Sequence, residues 1–194
     1  MRTGWRGIVG ALALALAAGS ALAQTPQIRQ GEVVRLTGLG EVVKLDYLRY
    51  EGRYYEIARL PHFAERNCAA DVVMTLLKRA EGDVSIVYQC FARERSWIMD
   101  IGRLDVSHGD EFPGELYVRP DWIGASPWQW GTYHLIEAPA DFSYVLIGDA
   151  ARSRLWILSR TRKLSDEAYR RLIGRAAERG YDTTRLVRSA QNGL

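Results

Sequence analysis

The chain has 194 residues, of which 47% are hydrophobic and 25% are charged. Its 26 lysine and arginine residues nearly balance its 23 aspartate and glutamate residues, so the bulk charge gives no support for nucleic-acid binding. The length fits one domain with a sizeable core, and we find no internal repeat and no second domain.

The first 23 residues have the features of a secretory signal peptide. Arg2 and Arg6 precede a small apolar run, and Ala21-Leu22-Ala23 supplies the small residues expected before cleavage after Ala23. The run is shorter than the ~20 apolar residues that a membrane-spanning helix needs. No cysteine lies near the cleavage site to carry a lipid anchor. We therefore predict a soluble periplasmic or secreted protein, which can still lie peripherally at the outer membrane.

Cys68 and Cys90 are the two cysteines of the chain. In an oxidising compartment, two cysteines at such a separation usually pair, so we predict one disulfide. Closing a loop of this size contributes about 3 kcal/mol in the chain-entropy model. A redox-active pair normally has the spacing C-x-x-C, and a zinc site needs more cysteine or histidine ligands, so both alternatives are weak.

The region after the signal sequence divides into three predicted parts. Residues 24–42 contain turn-forming residues and little periodicity, so we expect an extended leader. The folded domain is expected over 43–188, with a polar tail at 189–194. Near its start, Asp46 can cap one short helical turn that ends at Gly52.

Between Tyr54 and Ile157 the sequence contains short runs of β-branched and aromatic residues separated by turn residues. This pattern is typical of an antiparallel sandwich or barrel. The predicted strands are Tyr54–Leu60, Ala69–Leu77, Val84–Phe91, Ser96–Val106, Gly114–Arg119, Gly131–Ile136, Phe142–Ile147 and Leu155–Ser159. Eight strands are enough to close a barrel around one ligand. We predict an all-β fold with one C-terminal helix, in the form of an eight-stranded antiparallel up-and-down β-barrel.

One amphipathic helix is predicted at 165–179. Ser165 can cap its N-terminus, and Arg179-Gly180 ends it. An apolar stripe on this helix predicts packing against the outside of the barrel, which an immunoglobulin-type sandwich does not provide for. The opposite face carries arginines that we expect to be solvated, or alternatively to meet anionic phospholipids. These arginines are Arg170, Arg171, Arg175 and Arg179.

Two sequence motifs near the ends of the predicted barrel resemble those of the bacterial lipocalins. Gly52–Pro61 (GRYYEIARLP) is similar to the motif G-x-W-Y-E-I-A-R that opens these proteins, and Leu155–Thr161 is nearly identical to their L-W-I-L-S-R-T. Between them, Phe63 and Glu65–Cys68 resemble the family's F-E-R-x-C. The resemblance extends over roughly 43–187.

This resemblance implies a barrel whose closed end holds an arginine against an aromatic ring. Tyr54 stands where the family has tryptophan, and Arg160 occupies the position of the arginine. A tyrosine still offers an aromatic face to the guanidinium. We therefore expect Tyr54 and Arg160 to form a structural plug at the base of the barrel.

The resemblance also implies a binding protein for a small hydrophobic ligand, with fatty acids and lysophospholipids as the leading class, in the cell envelope. No cofactor is expected. From strand parity and the family register we expect the ligand to contact Val72, Met74, Ile86, Tyr88, Tyr133 and Leu135. The same side chains can instead be plain core, because an eight-stranded barrel can be filled by its own side chains. The protein would then be a periplasmic interaction or structural protein.

The segment Trp122–Trp130 has three tryptophans around a glycine and a proline, between two predicted strands. These rings can pack over the barrel rim. Alternatively they can frame the mouth of the pocket and touch the membrane, because indole rings favour the lipid–water boundary.

Motifs of catalysis are missing from the sequence. There is no G-x-S-x-G, no H-E-x-x-H and no glycine-rich phosphate loop. His62, His108 and His134 lie on separate segments without metal-ligand spacing, so we expect surface or rim positions and no metal. We predict that the protein is not an enzyme, with an isomerase acting on the bound ligand as the lesser alternative.

Overall fold

The computed structural model describes residues 33–36, 40–43, 47–79, 84–105, 115–120 and 131–194. The expected signal peptide, the Trp122–Trp130 segment and His108 lie outside the described residues. Within the described ranges, no helix is both long and apolar enough to cross a membrane.

The described chain begins with a hairpin and one helical turn. Strands β1 (Val33–Leu36) and β2 (Gly40–Val43) pair antiparallel, and α1 follows at Tyr47–Tyr50. All of this hairpin except Val43 lies in the region 24–42 that was expected to be an extended leader. Each strand has two valines, which favour extended backbone, and pairing satisfies the hydrogen-bonding groups that an isolated strand would leave open.

Eight further strands form a closed antiparallel barrel. They are β3 (Gly52–Arg59), β4 (Cys68–Lys78), β5 (Val84–Ala92), β6 (Trp97–Asp105), β7 (Glu115–Pro120), β8 (Gly131–Glu137), β9 (Tyr144–Gly148) and β10 (Leu155–Ser159). Each strand pairs with the next in sequence, and β10 pairs with β3 to close the barrel. The hairpin strand β2 lies beside β8. The predicted fold is confirmed, with strand ends displaced by two residues or fewer.

Helix α2 (Asp166–Glu178) packs on the outside of the barrel, as predicted. The Oγ of Ser165 accepts a hydrogen bond from the backbone N–H of Ala168 at 3.2 Å and caps the helix. Leu172 is fully buried in a cluster that also contains Ile57 and Leu155 of the barrel wall. Burying such a leucine stabilises the fold by about 1.5–3 kcal/mol.

The arginine face of α2 differs from the solvated face expected from sequence. Arg171 Nε lies 3.1 Å from Oε1 of Glu137, and Arg175 Nε lies 3.2 Å from Oε2 of the same residue. Glu137 ends β8 and is 2% exposed. A buried carboxylate is costly without charged or hydrogen-bonding partners, so these two arginines attach the helix to the barrel as well as facing solvent. Arg170 is exposed as expected.

The expected polar tail is instead built into the barrel wall. Strand β11 (Val187–Arg188) pairs with β3, and the backbone N–H of Ser189 then donates to the carbonyl of Ile57 at 3.0 Å. The backbone N–H of Asp71 donates to the carbonyl of Ala190 at 2.8 Å. The C-terminal segment therefore lies between β3 and β4 and bonds to both.

A local divergence of the two strands makes room for this segment. β3 and β4 pair directly only where Gly52–Tyr55 face Val73–Leu76. Beyond that stretch β4 is irregular, and Asp71 adopts a φ of 51°. Gln191 crosses the gap by donating from Nε2 to the carbonyls of Glu56 and Val72, both at 2.9 Å. The side chain replaces ladder hydrogen bonds that the strands cannot make with each other.

Candidate functional site

The barrel encloses a cavity of about 80 Å³. It extends from Tyr50 of α1 at one end, called here the closed end, toward the opposite end, where β3 ends and β10 begins. The residues that line it are Tyr50, Glu56, Glu65, Val72, Met74, Leu76, Ile86, Tyr88, Leu104, Leu116, Val118, Tyr133, Ile147, Trp156 and Leu158. Most of this wall is apolar, which suits a hydrophobic occupant.

Five of the six residues expected to contact a ligand line this cavity. They are Val72, Met74, Ile86, Tyr88 and Tyr133. Leu135 does not line it. This leucine is fully buried two positions beyond Tyr133 in β8, in the core cluster that also contains Tyr54 and Phe142.

Besides Tyr50 at the closed end, three lining residues that carry polar groups were not among the expected contacts. Glu56 and Trp156 were missed although strand parity could have found them, since Glu56 shares the parity of the buried Tyr54 in β3. Glu65 gave no such signal. It ends a short 3-10 turn at Phe63–Glu65, where alternation between faces does not apply.

The two glutamates share one arginine in what we call the Glu–Arg–Glu cluster, formed by Glu56, Arg59 and Glu65. Arg59 Nη1 lies 2.5 Å from Glu56 Oε1, and Arg59 Nε lies 2.6 Å from Glu65 Oε2. The indole Nε1 of Trp156 donates to Glu65 Oε1 at 2.9 Å. Both glutamates are 1% exposed. The cluster therefore places two carboxyl groups and one guanidinium in a largely apolar environment.

Burial governs the protonation of this cluster. It raises the pKa of Glu65 from 4.5 to about 8, and the neighbouring charge of Glu56 acts in the same direction while Arg59 opposes it. Burial also raises the pKa of Glu56, against the lowering effect of Arg59 and of the hydrogen bond from Ser189. One guanidinium cannot neutralise two carboxylates, so burial beside Glu56 favours the protonated form of Glu65.

The cavity wall is asymmetric in charge. Its described lining includes the carboxyl groups of Glu56 and Glu65 but no lysine, arginine or histidine. Arg59 binds the two glutamates without itself lining the cavity. A ligand head group at this end would therefore meet carboxyl oxygens, an indole ring and tyrosine hydroxyls, and the hydroxyl of Tyr133 accepts a hydrogen bond from Arg154 Nη1 at 2.5 Å.

The closed end is formed by aromatic rings and an arginine. The Cζ of Arg160 lies 3.9 Å from the ring centroid of Tyr54, and its Nη2 donates to the carbonyl of Arg49 at 2.7 Å. The hydroxyl of Tyr54 donates to the carbonyl of Phe142 at 3.0 Å. The ring of Tyr50 packs beside Tyr54 with centroids 5.2 Å apart. The two residues expected to form a plug are thus in contact beneath the cavity.

The predicted disulfide is confirmed. Cys68 at the start of β4 is bonded to Cys90 near the end of β5, with Cα atoms 5.6 Å apart. The Sγ of Cys68 also lies 3.6 Å from the hydroxyl of Tyr88, which lines the cavity. Because the Tyr88 side chain also hydrogen-bonds to Glu65, the disulfide joins two strands next to the Glu–Arg–Glu cluster.

The described histidines do not come together. His62 is half-buried with its ring 6.4 Å from that of Trp156, and burial lowers its pKa. His134 is buried in β8, with Nδ1 4.0 Å from Glu115 Oε1. The described residues contain no group of three or more side chains arranged to hold a metal ion.

Comparison with known proteins decides the family. A family model described as a Lipocalin-like domain matches residues 45–191. The chain belongs to the lipocalin family. As a lipocalin it is 32% identical to temperature-induced lipocalin-1 of Arabidopsis thaliana over 156 residues, which cover 78% of this chain and 83% of that protein. It is 28% identical to outer membrane lipoprotein Blc of Escherichia coli over 157 residues, covering 80% of this chain and 85% of the relative.

Solved lipocalin structures share the barrel at low sequence identity. The cockroach allergen Per a 4 superposes with a TM-score of 0.60 at 16% identity, covering 76% of this chain and 89% of the allergen. Lobster apocrustacyanin A1 superposes with a TM-score of 0.57 at 18% identity, covering 75% of this chain and 79% of the other. At such identities these similarities establish the fold alone.

Proposed function

We propose that this lipocalin binds a single-chain lipid of the fatty acid or lysophospholipid class in its barrel cavity and stores or transports it in the cell envelope. The observation that carries the proposal is the cavity itself. It has an apolar wall, a base formed by Tyr54 and Arg160, and polar groups at the opposite end. Lipocalins generally bind small hydrophobic molecules, and we propose a carrier rather than a catalyst.

Ligand binding by this cavity requires side chains to move. Its volume of about 80 Å³ is small beside the about 300–1,000 Å³ of pockets for drug-sized ligands. Met74 is half-buried in the lining and unbranched, and methionine adapts readily to new neighbours. Each methylene transferred from water contributes about 0.8 kcal/mol, so an acyl chain can offset the repacking.

The small volume also favours a second candidate, a periplasmic interaction or structural protein with a filled barrel. In that case the lining residues are core, and partners bind the rim or the outer surface. The two proposals differ in one measurable property, which is saturable binding of apolar molecules.

We propose that the protein is periplasmic or secreted and that it contacts the outer membrane peripherally. Two observations support this proposal. The first 23 residues resemble a signal peptide, and several relatives are named outer membrane lipoproteins. Membrane contact by the Trp122–Trp130 segment stays part of the proposal. Co-sedimentation with anionic vesicles at low salt tests it, and failure to sediment would argue against it.

Mass spectrometry of lipids that co-purify with the native protein tests the function. The protein is isolated from its own envelope without detergent, then delipidated and titrated with fluorescent acyl, sterol and retinoid probes. We expect a co-purified single-chain lipid and saturable displacement of the acyl probe. No lipid and no saturable binding of any probe would favour the filled barrel.

A further inference from the structure

We propose that the gap between β3 and β4 is a side portal through which the ligand enters and leaves the cavity, and that residues 189–193 are its strap. The strap closes the gap in this structure, and its local release opens it. The portal rests on the proposed function and adds to it the route that the ligand takes.

The gap lies directly beside the cavity. Direct pairing of β3 with β4 ends where Tyr55 faces Val73, so Glu56 and Val72 would form the next pair. Both of these residues line the cavity. Their carbonyls are instead bridged by Nε2 of Gln191, which donates to each at 2.9 Å. The strap therefore spans the wall of the cavity at the point where the two strands stop pairing.

The width of the gap suits one hydrocarbon chain. Neighbouring strands of a sheet lie about 4.8 Å apart, so two strands with a segment between them are separated by about twice that distance. The strap is such a segment. Ser189 donates its backbone N–H to the carbonyl of Ile57 in β3, and the carbonyl of Ala190 accepts from the backbone N–H of Asp71 in β4. Release of the strap therefore leaves an opening about one strand wide.

Polar contacts hold the strap in place, without apolar burial. None of residues 189–193 is buried. On the β4 side the strap bonds to the carbonyl of Val72 and to the backbone N–H and carboxylate of Asp71. Segments with few buried apolar contacts open locally at a smaller free energy than global unfolding requires. We therefore expect the strap to open while the rest of the barrel stays folded.

The closed strap also carries a local cost that opening relieves. Oδ2 of Asp71 and Oε1 of Gln191 are buried and have no hydrogen-bond partner among the described residues. A buried acceptor without a donor raises the free energy of the closed form. Release of the strap exposes both oxygens to water, which lowers the free energy of opening.

A portal of this kind controls the rate of exchange and not the affinity. When the ligand passes only through a rare open form, a variant that opens more often raises the association and dissociation rate constants by the same factor. Their ratio, the Kd, then stays constant. Loss of a direct ligand contact would instead change the Kd, mainly through the dissociation rate constant.

The test measures both rate constants by stopped-flow fluorescence with cis-parinaric acid, a fluorescent fatty acid, on the full-length delipidated protein. Gln191→Ala removes the bridge across the gap. Asp71→Asn weakens the contacts with Arg162 and Gly193, and asparagine tolerates the φ of 51° at this position. We expect each variant to raise both rate constants about five-fold or more while the Kd changes less than about two-fold.

Two control variants separate opening of the strap from other effects. Asn192→Ala changes an exposed amide of the strap and should leave both rate constants unchanged. Val145→Ala removes packing from the core at β9, away from the gap and outside the cavity lining, so it lowers global stability alone. Exchange that is accelerated as much in Val145→Ala as in Gln191→Ala would overturn the proposal.

Hydrogen exchange of the unaltered protein gives a second measurement that does not depend on any variant folding. The backbone N–H groups of Ser189 and Asp71 donate within the gap, whereas β5 is paired with a strand on both sides. We expect the Ser189 and Asp71 amides to exchange at least about ten-fold faster than the paired amides of β5. Equal protection would show that the strap opens only when the whole barrel unfolds, and there would be no portal.

The outcomes distinguish the portal from the proposed function. Unchanged rate constants in Gln191→Ala and Asp71→Asn, or a changed Kd with an unchanged association rate constant, would overturn the portal and leave the lipid carrier intact. Failure of the unaltered protein to bind cis-parinaric acid would contradict the lipid carrier and the portal together.

Discussion

Gly193 donates its backbone N–H to Oδ1 of Asp71 at 2.8 Å. The contact fixes the end of the chain to β4, in the gap between β3 and β4. Arg162 Nη1 lies 3.3 Å from the same carboxylate oxygen. The last residues of the chain are therefore part of the barrel wall that encloses the cavity.

Loss of the Gln191 side chain should destabilise the protein. Gln191→Ala removes two hydrogen bonds and leaves the carbonyls of Glu56 and Val72 without this donor. We expect the free energy of unfolding to fall by about 1–3 kcal/mol, measured by urea denaturation with the disulfide intact. Asn192→Ala changes the neighbouring, exposed amide and should have little effect. Equal stability of the two variants would show that the segment does not support the wall.

Arg160→Ala should weaken the closed end. The substitution removes the guanidinium over Tyr54 and the hydrogen bond to the carbonyl of Arg49. A half-buried cation–π contact and one charged hydrogen bond together contribute about 1–3 kcal/mol. Thermal unfolding compared with Arg170→Ala, at an exposed arginine of α2, measures the loss. Matching unfolding temperatures for the two variants would argue against a plug.

Glu137→Gln should loosen α2 from the barrel. The carboxylate of Glu137 is buried and binds Arg171 and Arg175, whose side chains are 42% and 36% exposed. Solvent reaches both arginines, so we expect a loss of about 1–3 kcal/mol rather than the full cost of an uncompensated buried charge. Hydrogen exchange of α2 amides should accelerate. Glu167→Gln, at an exposed position on the same helix, is the control. Equal exchange rates of the α2 amides in both variants would show that Glu137 does not attach the helix to the barrel.

Glu65 should make the protein less stable as the pH rises. Because its pKa is raised from 4.5 to about 8, the folded state holds a proton that the unfolded state releases across that range. The contribution of Glu65 to the free energy of unfolding is complete below pH 4.5, the pKa of this group in the unfolded state. It is lost as the pH rises toward 8. Burial lowers the pKa values of His62 and His134, so these two residues make the protein more stable as the pH rises through the acidic end of the range.

The difference between wild type and Glu65→Gln isolates this contribution. We expect the stability of wild type relative to the variant to decrease steadily across that pH range, as measured by the unfolding temperature. The other groups that face Glu65, namely Glu56, Arg59 and Tyr88, are present in both proteins. A difference that is constant with pH would contradict the raised pKa.

The sequence predicted the barrel because alternation and turn residues are local signals. In β5 every second residue from Val84 to Ala92 is buried, which is the pattern that placed this strand. The helix boundaries were predicted equally well, because Ser165 and Gly180 act within one turn of the backbone.

Features that depend on distant contacts were missed. Nothing near Gln191 indicates that β3 and β4 diverge more than a hundred residues earlier, since that gap follows from an irregularity at Asp71. Glu65 reaches the cavity from a turn, and Glu137 is buried because α2 supplies two arginines. Side chains whose burial depends on partners elsewhere in the chain cannot be placed by local periodicity.

Occupation of the barrel cavity by an apolar ligand is tested most directly by a pair of methionine variants. Met74 lines the cavity, whereas Met99 lies on the outer surface and is 60% exposed. The measurement is saturable binding of a fluorescent acyl probe to wild type, Met74→Trp and Met99→Trp, each first shown to be folded. We predict that Met74→Trp loses binding at least about ten-fold, since the indole fills the site, while Met99→Trp binds like wild type. Equal binding by all three proteins would place the ligand outside the barrel and contradict the account.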